Sequence, residues 1–486
     1  MKEYAAKQPS PWVSVLPLAV LTLLLYVVIR CFGGDAINGG SQIALLSATS
    51  VCVMLAIGIY RCKWAVLEEA IIDNIRASAS AIIILLLIGA IAGSWMVSGV
   101  VPTMIYYGLK ILHPSFFLVA SCAICAGVSL MTGSSWTTIA TIGVALMGIG
   151  QAMGFPEGWI AGAIISGAYF GDKISLLSDT TVLASSTVGV PIFTHIRYML
   201  YTTVPSFVIA LAVFVIAGLT LDHTGGTHAG MYADSLRGTF RITPWLLAVP
   251  VATGVLIVRK LPAIVTLFCA AVFACIAMLL AQPELVAKVA GVGGLDFMSG
   301  FKGVLMSCFG PTAIPTGSPQ LDELVATRGM AGMLNTVWLI ICAMCFGGVM
   351  TGSGMLGALT SVFLRFVRRA FSAVASTVGA GIFFNLCTAD QYISIILSGR
   401  LFRELYAERG FEPRLLSRSV EDSATVCSVL VPWNSCGMTQ ATVLGVSTFV
   451  YMPYCIFNIV SPLMSLTVAA VGWRIKKAAG TAAHPH

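Results

Sequence analysis

A short polar stretch, YFGDKISLLSDTT from Tyr169 to Thr181, interrupts an otherwise apolar part of the chain. It places Asp172, Lys173 and Asp179 within eight residues of each other. A carboxylate near the centre of a bilayer costs at least a few kcal/mol, so acidic groups in apolar segments are typical of functional sites. A buried carboxyl group can hold a metal cation when ionised and a proton when neutral, and the two ligands then compete. This pattern predicts exchange of a cation for a proton.

Four polar interruptions of this kind occur, and they are TGSSWTT from Thr132, GDKISLLSDTT from Gly171, NLCTADQY from Asn385 and EDSATVCSVLVPWNSCG from Glu421. A helix broken at mid-depth is stable only inside protein or beside water, because its freed backbone groups need partners. Its ends offer N–H groups to an anion, and carbonyl, hydroxyl and amide oxygens to Na⁺. The candidate ion or substrate ligands are Thr132, Ser134, Ser135, Asp172, Ser175, Ser178, Asp179, Thr180, Asn385, Thr388, Asp390, Asp422, Ser428 and Asn434. The candidate Na⁺ ligands among them are Asp179, Asp390, Asn385 and Asn434.

Several of these polar residues also have a purely structural interpretation. Asp172 and Lys173 are close enough in sequence to pair at a helix end, and Glu421 follows an Arg-rich segment that predicts a charge at the cytoplasmic rim. Asn385 and Asn434 have the side chain of a helix cap. Trp136, Tyr392 and Trp433 lie beside the breaks, where packing is the interpretation we favour for them.

The composition identifies the setting of these breaks as a membrane. Of 486 residues, 58% are hydrophobic and 10% are charged, and the mean hydropathy is +0.93. No soluble domain has such a composition over this length, so we predict an all-α polytopic membrane protein. The net charge of +7 comes from basic residues near helix ends, which indicates membrane topology rather than nucleic-acid binding. The 14 cysteines and six histidines show no ligand spacing, so we expect no cofactor or resident metal.

Three weak internal matches indicate two repeats. LEEAIIDNIR resembles LDELVATRG 254 residues later, MVSGV resembles TGSGM after 255 residues, and LMTGSSW resembles LCTADQY after 256 residues. Basic residues lie at opposite ends of the corresponding segments, and the positive-inside rule then predicts that the two repeats are inverted. We predict cytoplasmic termini in the inner (plasma) membrane.

The predicted organisation has about ten transmembrane helices and two re-entrant hairpins, with discontinuous helices at the midplane. The full spans are predicted near 12–32, 42–61, 78–100, 158–190, 198–219, 242–258, 262–281, 332–352, 419–446 and 454–473, with hairpins near 115–153 and 372–400. The first repeat covers 1–220, with scaffold helices over 12–100 and transport elements over 115–219, and an external loop follows at 221–241. The second repeat covers 242–473, with scaffold helices over 242–352 and transport elements over 372–473, and 474–486 is a cytoplasmic tail. An alternative in which each hairpin arm crosses fully keeps the inversion.

The sequence resembles the NhaC family of Na⁺/H⁺ antiporters over most of its length. The resemblance lies in SGVVPTMIYYGL from Ser98, TGSSWTTIATIG from Thr132, GDKISLLSDTT from Gly171, FTHIRYMLYTTVP from Phe193 and VPWNSCG from Val431. It implies a fold of the ion transporter superfamily with an elevator movement, and it makes a homodimer a candidate assembly. The chain departs from the family pattern at Leu176 and Val182, and again at Val429, where a proline, an asparagine and a proline are typical. These departures bear on how the helices break and on which substrate is carried.

The leading hypothesis is therefore a secondary active transporter that exchanges Na⁺ for H⁺, not an enzyme. The alternative is a Na⁺- or H⁺-coupled carrier or exchanger of a small organic anion, of the malate or lactate type, or of an amino acid. Its partners are the lipid bilayer, small ions and, in the alternative, a carboxylate-bearing substrate. An intramembrane aspartyl protease would need a second aspartate motif, and a passive channel would not need paired hairpins. No phosphate-binding loop is present for ATP-driven pumping.

Overall fold

The computed structural model describes residues 9–32, 38–221, 227–259, 261–316, 322, 325–365, 367 and 369–475. Over these residues the protein is helical, with one isolated β-bridge between Thr312 and Thr327 and no β-strand. Among the residues that the structure describes, eight helices are long and apolar enough to cross a membrane, and the number rises to 11 if each of three bent helix pairs is one span. The predicted all-α polytopic architecture with discontinuous helices is confirmed.

The α-helices fall into two groups along the chain. In the first half they are Pro11–Ser14, Leu16–Phe32, Gly40–Gly58, Trp64–Ala77, Ala79–Val97, Val100–Ile111, Phe117–Thr132, Ser135–Thr138, Val144–Ala152, Glu157–Ile174, Asp179–Val188 and Ile192–Thr220. In the second half they are Thr227–Thr239, Ala248–Val258, Ala263–Ala281, Pro283–Ala290, Phe297–Phe309, Leu334–Gly352, Met355–Arg365, Ala370–Thr388, Gln391–Glu408, Pro413–Val420, Ser435–Leu444, Thr448–Tyr451 and Ile456–Val471. Two π-helical turns lie at Ile139–Gly143 and Glu421–Thr425.

Each predicted hairpin consists of two helical arms that meet at a polar tip. The first hairpin turns at Gly133, between Phe117–Thr132 and the helix that begins at Ser135, and Gly133 has a φ of 65°. The second hairpin turns at Ala389, between Ala370–Thr388 and Gln391–Glu408, with a φ of 57°. A left-handed backbone is natural for glycine and costs an L-residue roughly 1–2 kcal/mol, so Ala389 is held there by its surroundings.

In each half, one helix is broken at the polar interruption that the sequence predicts. The first broken helix runs over Glu157–Ile174 and restarts at Asp179–Val188, with a bend of 47°. The second broken helix runs from Pro413–Val420 through the π-helical turn at Glu421 and a 3₁₀ turn, and restarts at Ser435–Leu444. The predicted segment 419–446 is therefore interrupted at about its middle, as a discontinuous helix must be.

The remaining boundaries differ from the predictions in detail. In the described chain, the helices that lie outside the predicted spans and hairpins include Trp64–Ala77, Val100–Ile111, Pro283–Ala290, Phe297–Phe309 and Met355–Arg365. Within the predicted external loop 221–241, Thr227–Thr239 is helical, and the following span is reduced to Ala248–Val258 after a short 3₁₀ turn. The assignment of scaffold and transport elements to two inverted repeats stays a prediction.

Glycines let the first hairpin and the first broken helix approach closely. A Cβ atom at Gly167 would lie 2.0 Å from the carbonyl oxygen of Cys122, and one at Gly171 would lie 2.2 Å from that of Ala126. The Ser129 hydroxyl donates to the carbonyl oxygen of Ala168 at 2.6 Å in the same interface. Because lipid provides no hydrophobic drive between helices, small residues and hydrogen bonds of this kind hold membrane helices together.

We expect Gly167→Ala to destabilise the protein, because the added methyl group would overlap a backbone carbonyl and overpacking typically costs about 1–3 kcal/mol. Gly127→Ala is the matched control, since Gly127 lies in the partner helix Phe117–Thr132 and nothing is within 4 Å of its would-be Cβ atom. The melting temperature of the purified protein in detergent measures both. Equal melting temperatures for the two variants would contradict the proposed packing.

Candidate functional site

The two hairpin tips are helix N-termini capped by their own polar side chains. The Ser134 hydroxyl accepts a hydrogen bond from the backbone N–H of Thr137 at 3.2 Å. At the second tip the Asp390 carboxylate accepts from the N–H groups of Tyr392 at 2.9 Å and Ile393 at 3.1 Å. These caps satisfy N–H groups that have no partner inside the helix. One carboxylate oxygen of Asp390 therefore serves as a helix cap, and the side chain is fully buried.

The tips match residue by residue at the predicted separation of 256. Thr132 lies 3.2 Å from Thr138 between hydroxyl oxygens, and Thr388 lies 3.2 Å from Ser394 in the same way. Thr132 and Thr388 each donate to the carbonyl oxygen two residues ahead at 3.2 Å. The resemblance between LMTGSSW and LCTADQY therefore corresponds to one shared tip geometry.

Asp172 connects the first broken helix to the first tip. One of its carboxylate oxygens accepts from the backbone N–H of Ser135 at 3.0 Å and from the Ser135 hydroxyl at 2.7 Å, while the other oxygen has no hydrogen-bond partner in the described structure. A Cβ atom at Gly133 would lie 2.5 Å from the carbonyl carbon of Leu177, so the tip and the break are in direct contact. The interpretation of Asp172 as the partner of Lys173 is wrong, because the tip supplies its hydrogen bonds.

The second half repeats this contact with different side chains. The backbone N–H of Ser435 donates to the carbonyl oxygen of Ala389 at 2.8 Å, which holds the left-handed alanine in place. The Ser435 hydroxyl donates to the second oxygen of Asp390 at 3.1 Å, and Ser78 approaches the same oxygen at 3.4 Å. A break and a tip therefore meet in each half.

Two asparagines fasten the second broken helix. The side-chain oxygen of Asn434 accepts from the backbone N–H of Cys436 at 3.0 Å, so Asn434 is a helix cap. Its amide nitrogen donates to the side-chain oxygen of Asn385 at 3.1 Å, and the Asn385 nitrogen donates to the carbonyl oxygen of Ala424 at 2.8 Å. Both amide oxygens already accept hydrogen bonds, and their role as Na⁺ ligands stays a prediction.

The other predicted serines bond within the breaks. The Ser175 hydroxyl donates to the carbonyl oxygen of Leu130 at 2.9 Å, and Ser178 caps the restarted helix by accepting from the N–H of Thr181 at 3.3 Å. Ser428 donates to the carbonyl oxygen of Thr425 at 2.7 Å. These hydroxyls satisfy the backbone groups that the interruptions leave free.

The two halves meet at Asp179 and Tyr392. The Tyr392 hydroxyl donates to the Asp179 carboxylate at 2.8 Å, and the Asp179 side chain is otherwise exposed. Because Asp390 caps the helix that carries Tyr392, the two predicted Na⁺-binding aspartates lie on either side of one tyrosine. The sequence had favoured packing as the role of Tyr392. The structure corrects this, because its hydroxyl also donates a hydrogen bond to Asp179.

A buried ion pair joins Lys173 in the first half to Asp422 in the second, 249 residues apart. Both side chains are fully buried, and the same Asp422 oxygen accepts from Ser461 at 3.1 Å and from Thr202 at 3.3 Å. Lys173 also donates to the Ser461 hydroxyl at 2.9 Å. The sequence placed Asp422 among the ligands, and the structure gives it a basic partner.

Glu421 is not a charge at the rim. Its side chain is fully buried, one oxygen lies 3.4 Å from the Thr180 hydroxyl, and the other has no hydrogen-bond partner in the described part of the chain. The Arg-rich segment before it had suggested an exposed end of the helix. Every residue from 415 to 429 is instead buried, so this carboxyl group lies inside the protein, at the start of the π-helical turn.

A cavity of about 330 Å³ opens beside the two tips and the first break. Its polar lining includes Thr132, Ser134, Asp172, Asp179 and Tyr392, and no Lys, Arg or His is among the described residues that line it. The candidate ligands outside its lining are Ser135, Ser175, Ser178, Thr180, Asn385, Thr388, Asp390, Asp422, Ser428 and Asn434. A second cavity has a volume of about 810 Å³. The helix Ala79–Val97 contributes to both cavities: Ser80 near its start lines the first, and Met96 near its end lines the second.

Comparison with known proteins places the sequence in a family. A model of the Na⁺/H⁺ antiporter family matches residues 167–473, which include both breaks and the second tip. The chain belongs to this family. The predicted resemblance is confirmed by the Na⁺/H⁺ antiporter NhaC of Alkalihalophilus pseudofirmus, which is 35% identical over 430 residues, covering 88% of this chain and 90% of that protein.

Other relatives of this antiporter family member carry different names. The malate-2H⁺/Na⁺-lactate antiporter of Bacillus subtilis is 35% identical over 419 residues, or 85% of each chain. The arginine/ornithine antiporter ArcD of Halobacterium salinarum is 33% identical over 474 residues, covering 96% of this chain and 93% of that protein. Relatives named for Na⁺/H⁺ exchange and relatives named for exchange of organic molecules thus have similar sequence identity to this chain.

Proposed function

We propose that this chain is a secondary active transporter of the plasma membrane that exchanges Na⁺ for H⁺ by alternating access. The observation that supports this most strongly is the charge of the 330 Å³ cavity, to which Asp172 and Asp179 contribute carboxylates without a basic residue in the described lining. Hard cations prefer oxygen ligands, and hydroxyls of Thr132 and Ser134 lie in the same cavity. Sodium would therefore bind at these carboxylates, and its binding would favour release of a proton from the site.

We place the opening of this cavity on the cytoplasmic side. Ser80 and Pro262 line it, and each lies close in sequence to a basic residue, Arg76 and Arg259 respectively, as the positive-inside rule requires. A thiol reagent that cannot cross membranes should label Lys63→Cys more strongly than the parent in inside-out vesicles, and not in right-side-out vesicles. The reverse labelling would invert the proposed topology.

A second candidate function is exchange of a cationic amino acid. The cavity is much larger than a bare Na⁺ ion, and the relative named as an arginine/ornithine antiporter matches nearly the whole chain. A carboxylate-bearing substrate such as malate or lactate would face Asp172 and Asp179 without a described basic residue in the lining, so the charge of the cavity is less favourable for it.

The deciding experiment measures proton movement in everted vesicles after Na⁺ is added. The parent protein should move protons, and Asp179→Asn should lower the rate at least tenfold, because a neutral amide binds Na⁺ and protons weakly. Asp73→Asn is the matched control, since Asp73 lies on the surface in an exposed pair with Arg76. If the parent moves no protons with Na⁺ but exchanges arginine for ornithine, the second candidate is correct.

A further inference from the structure

Glu421 belongs to a buried charged group in which acids outnumber bases. Asp172, Lys173, Arg418, Glu421 and Asp422 are each at most 6% exposed. Three of these residues are acidic and two are basic, so full ionisation would leave one excess negative charge in the interior. Uncompensated charge of this kind is strongly unfavourable away from water.

The available positive charge is directed at Asp422 rather than at Glu421. Lys173 hydrogen-bonds to one Asp422 oxygen. The Nε atom of Arg418 is 4.0 Å from the other oxygen, and its guanidinium lies over the Tyr198 ring at 4.7 Å. His195, on the neighbouring helix, bonds to Ser417 through Nδ1. Asp422 is thus the acid of this group whose ionised form the basic residues stabilise.

Glu421 has no comparable hydrogen-bond donor. Its closest partner is the neutral Thr180 hydroxyl, at a long 3.4 Å, and its second oxygen is buried without a hydrogen-bond partner in the described residues. Asp172, in contrast, receives two hydrogen bonds from Ser135 and lines the cavity. Of the two remaining acids, Glu421 is the one whose surroundings suit the neutral, protonated form.

A short route connects Glu421 to the cavity. Thr180, its hydrogen-bond partner, directly follows Asp179, which lines the cavity and bonds to Tyr392. Glu421 itself is outside the cavity lining, so a cation in the cavity would act on it through electrostatics and through the Asp179–Thr180 segment. The proton-holding and cation-binding positions are thereby separate but adjacent.

We propose that Glu421 is a proton-binding residue of the transport cycle, distinct from the carboxylates that face the cation. This inference rests on the proposed Na⁺/H⁺ exchange. When Na⁺ enters, the O–H bond of the Glu421 acid breaks and the proton passes by way of Thr180 and Asp179 to water in the cavity. When Na⁺ leaves, the carboxylate takes a proton from that water, and no other reactant is consumed.

The test compares two activities of the purified protein in liposomes: exchange of radioactive Na⁺ for Na⁺ at equal concentrations, and proton movement driven by a Na⁺ gradient. For Glu421→Gln we expect sodium exchange within twofold of the parent and proton movement reduced at least tenfold. Glu421→Asp keeps an acid and should retain proton movement. Glu408→Gln removes an exposed glutamate of the second hairpin and should leave both activities unchanged.

Proton movement by Glu421→Gln at the parental rate would overturn the assignment of the proton to Glu421. A parallel loss of both activities in a Glu421→Gln protein that elutes as a folded species would also overturn it, because Glu421 would then belong to the cation site. Loss of proton movement in Glu421→Asp would do the same. Absence of both activities in the parent would instead overturn the proposed function, and this inference with it.

Discussion

Replacement of Asp172 by asparagine is expected to weaken Na⁺ binding on the order of 100-fold. The side chain lines the cavity, is held by two hydrogen bonds from Ser135, and keeps one oxygen without a protein hydrogen-bond partner in the described structure. Loss of one charged contact of about 3 kcal/mol corresponds to this factor. The measurement is the Na⁺ concentration that gives half of the maximal proton movement.

The serine that positions Asp172 provides the matched comparison. Ser135→Ala removes the hydroxyl donor but retains the backbone N–H donor, so we expect a shift of about tenfold or less, in line with about 1 kcal/mol for one such bond. The order of the two effects is the critical result. An Asp172→Asn protein with the parental half-saturating Na⁺ concentration would show that the cation binds elsewhere.

Replacement of Lys173 by methionine is expected to cost about 3–5 kcal/mol of stability, because it leaves Asp422 as a buried charge without its ammonium partner. Lys173 and Asp422 are both fully buried and lie in different halves of the chain. The double variant Lys173→Met with Asp422→Leu removes both charges of the pair and should recover part of the loss, because the buried Arg418 then loses its neighbouring carboxylate. The free energy of unfolding of each detergent-solubilised variant is the quantity to measure.

An exposed ion pair is the control for this prediction. Arg76 and Asp73 form a pair at 2.7 Å with side chains that are 74% and 60% exposed. Arg76→Met should change the free energy of unfolding by less than about 1 kcal/mol, because exposed pairs are weak. If the double variant at Lys173 and Asp422 were as unstable as Lys173→Met alone, uncompensated charge would not be the cause.

The hairpins and breaks were predictable because their signals are local. Gly133 and the capping hydroxyl of Ser134 are ordinary turn chemistry, and the repeat with LCTADQY transfers the same turn to Ala389, where no glycine marks it. The interruptions at Gly171 and Glu421 were visible as polar residues in apolar segments. Polar interruptions and the internal repeat therefore located the elements that position the site.

The pairing of charges was not predictable in the same way. Lys173 has Asp172 as its neighbour in sequence, yet its partner is Asp422, and only the packing of the two halves decides this. Glu421 follows a run of basic residues that suggested exposure to solvent, while the packing of the whole segment 415–429 buries it. Single-sequence patterns describe one helix at a time and contain no information about which buried faces meet.

The close glycine contact between the first hairpin and the first broken helix restricts how the protein can move. Gly167 and Gly171 fix these elements along their length, and the Ser135–Asp172 hydrogen bonds fix them at the tip. The first hairpin and the first broken helix would then move as one rigid body, and an ion bound at Asp172 would keep its ligands during the movement. The interface along which these elements would slide would lie at Ala79–Val97, whose two ends face the two cavities.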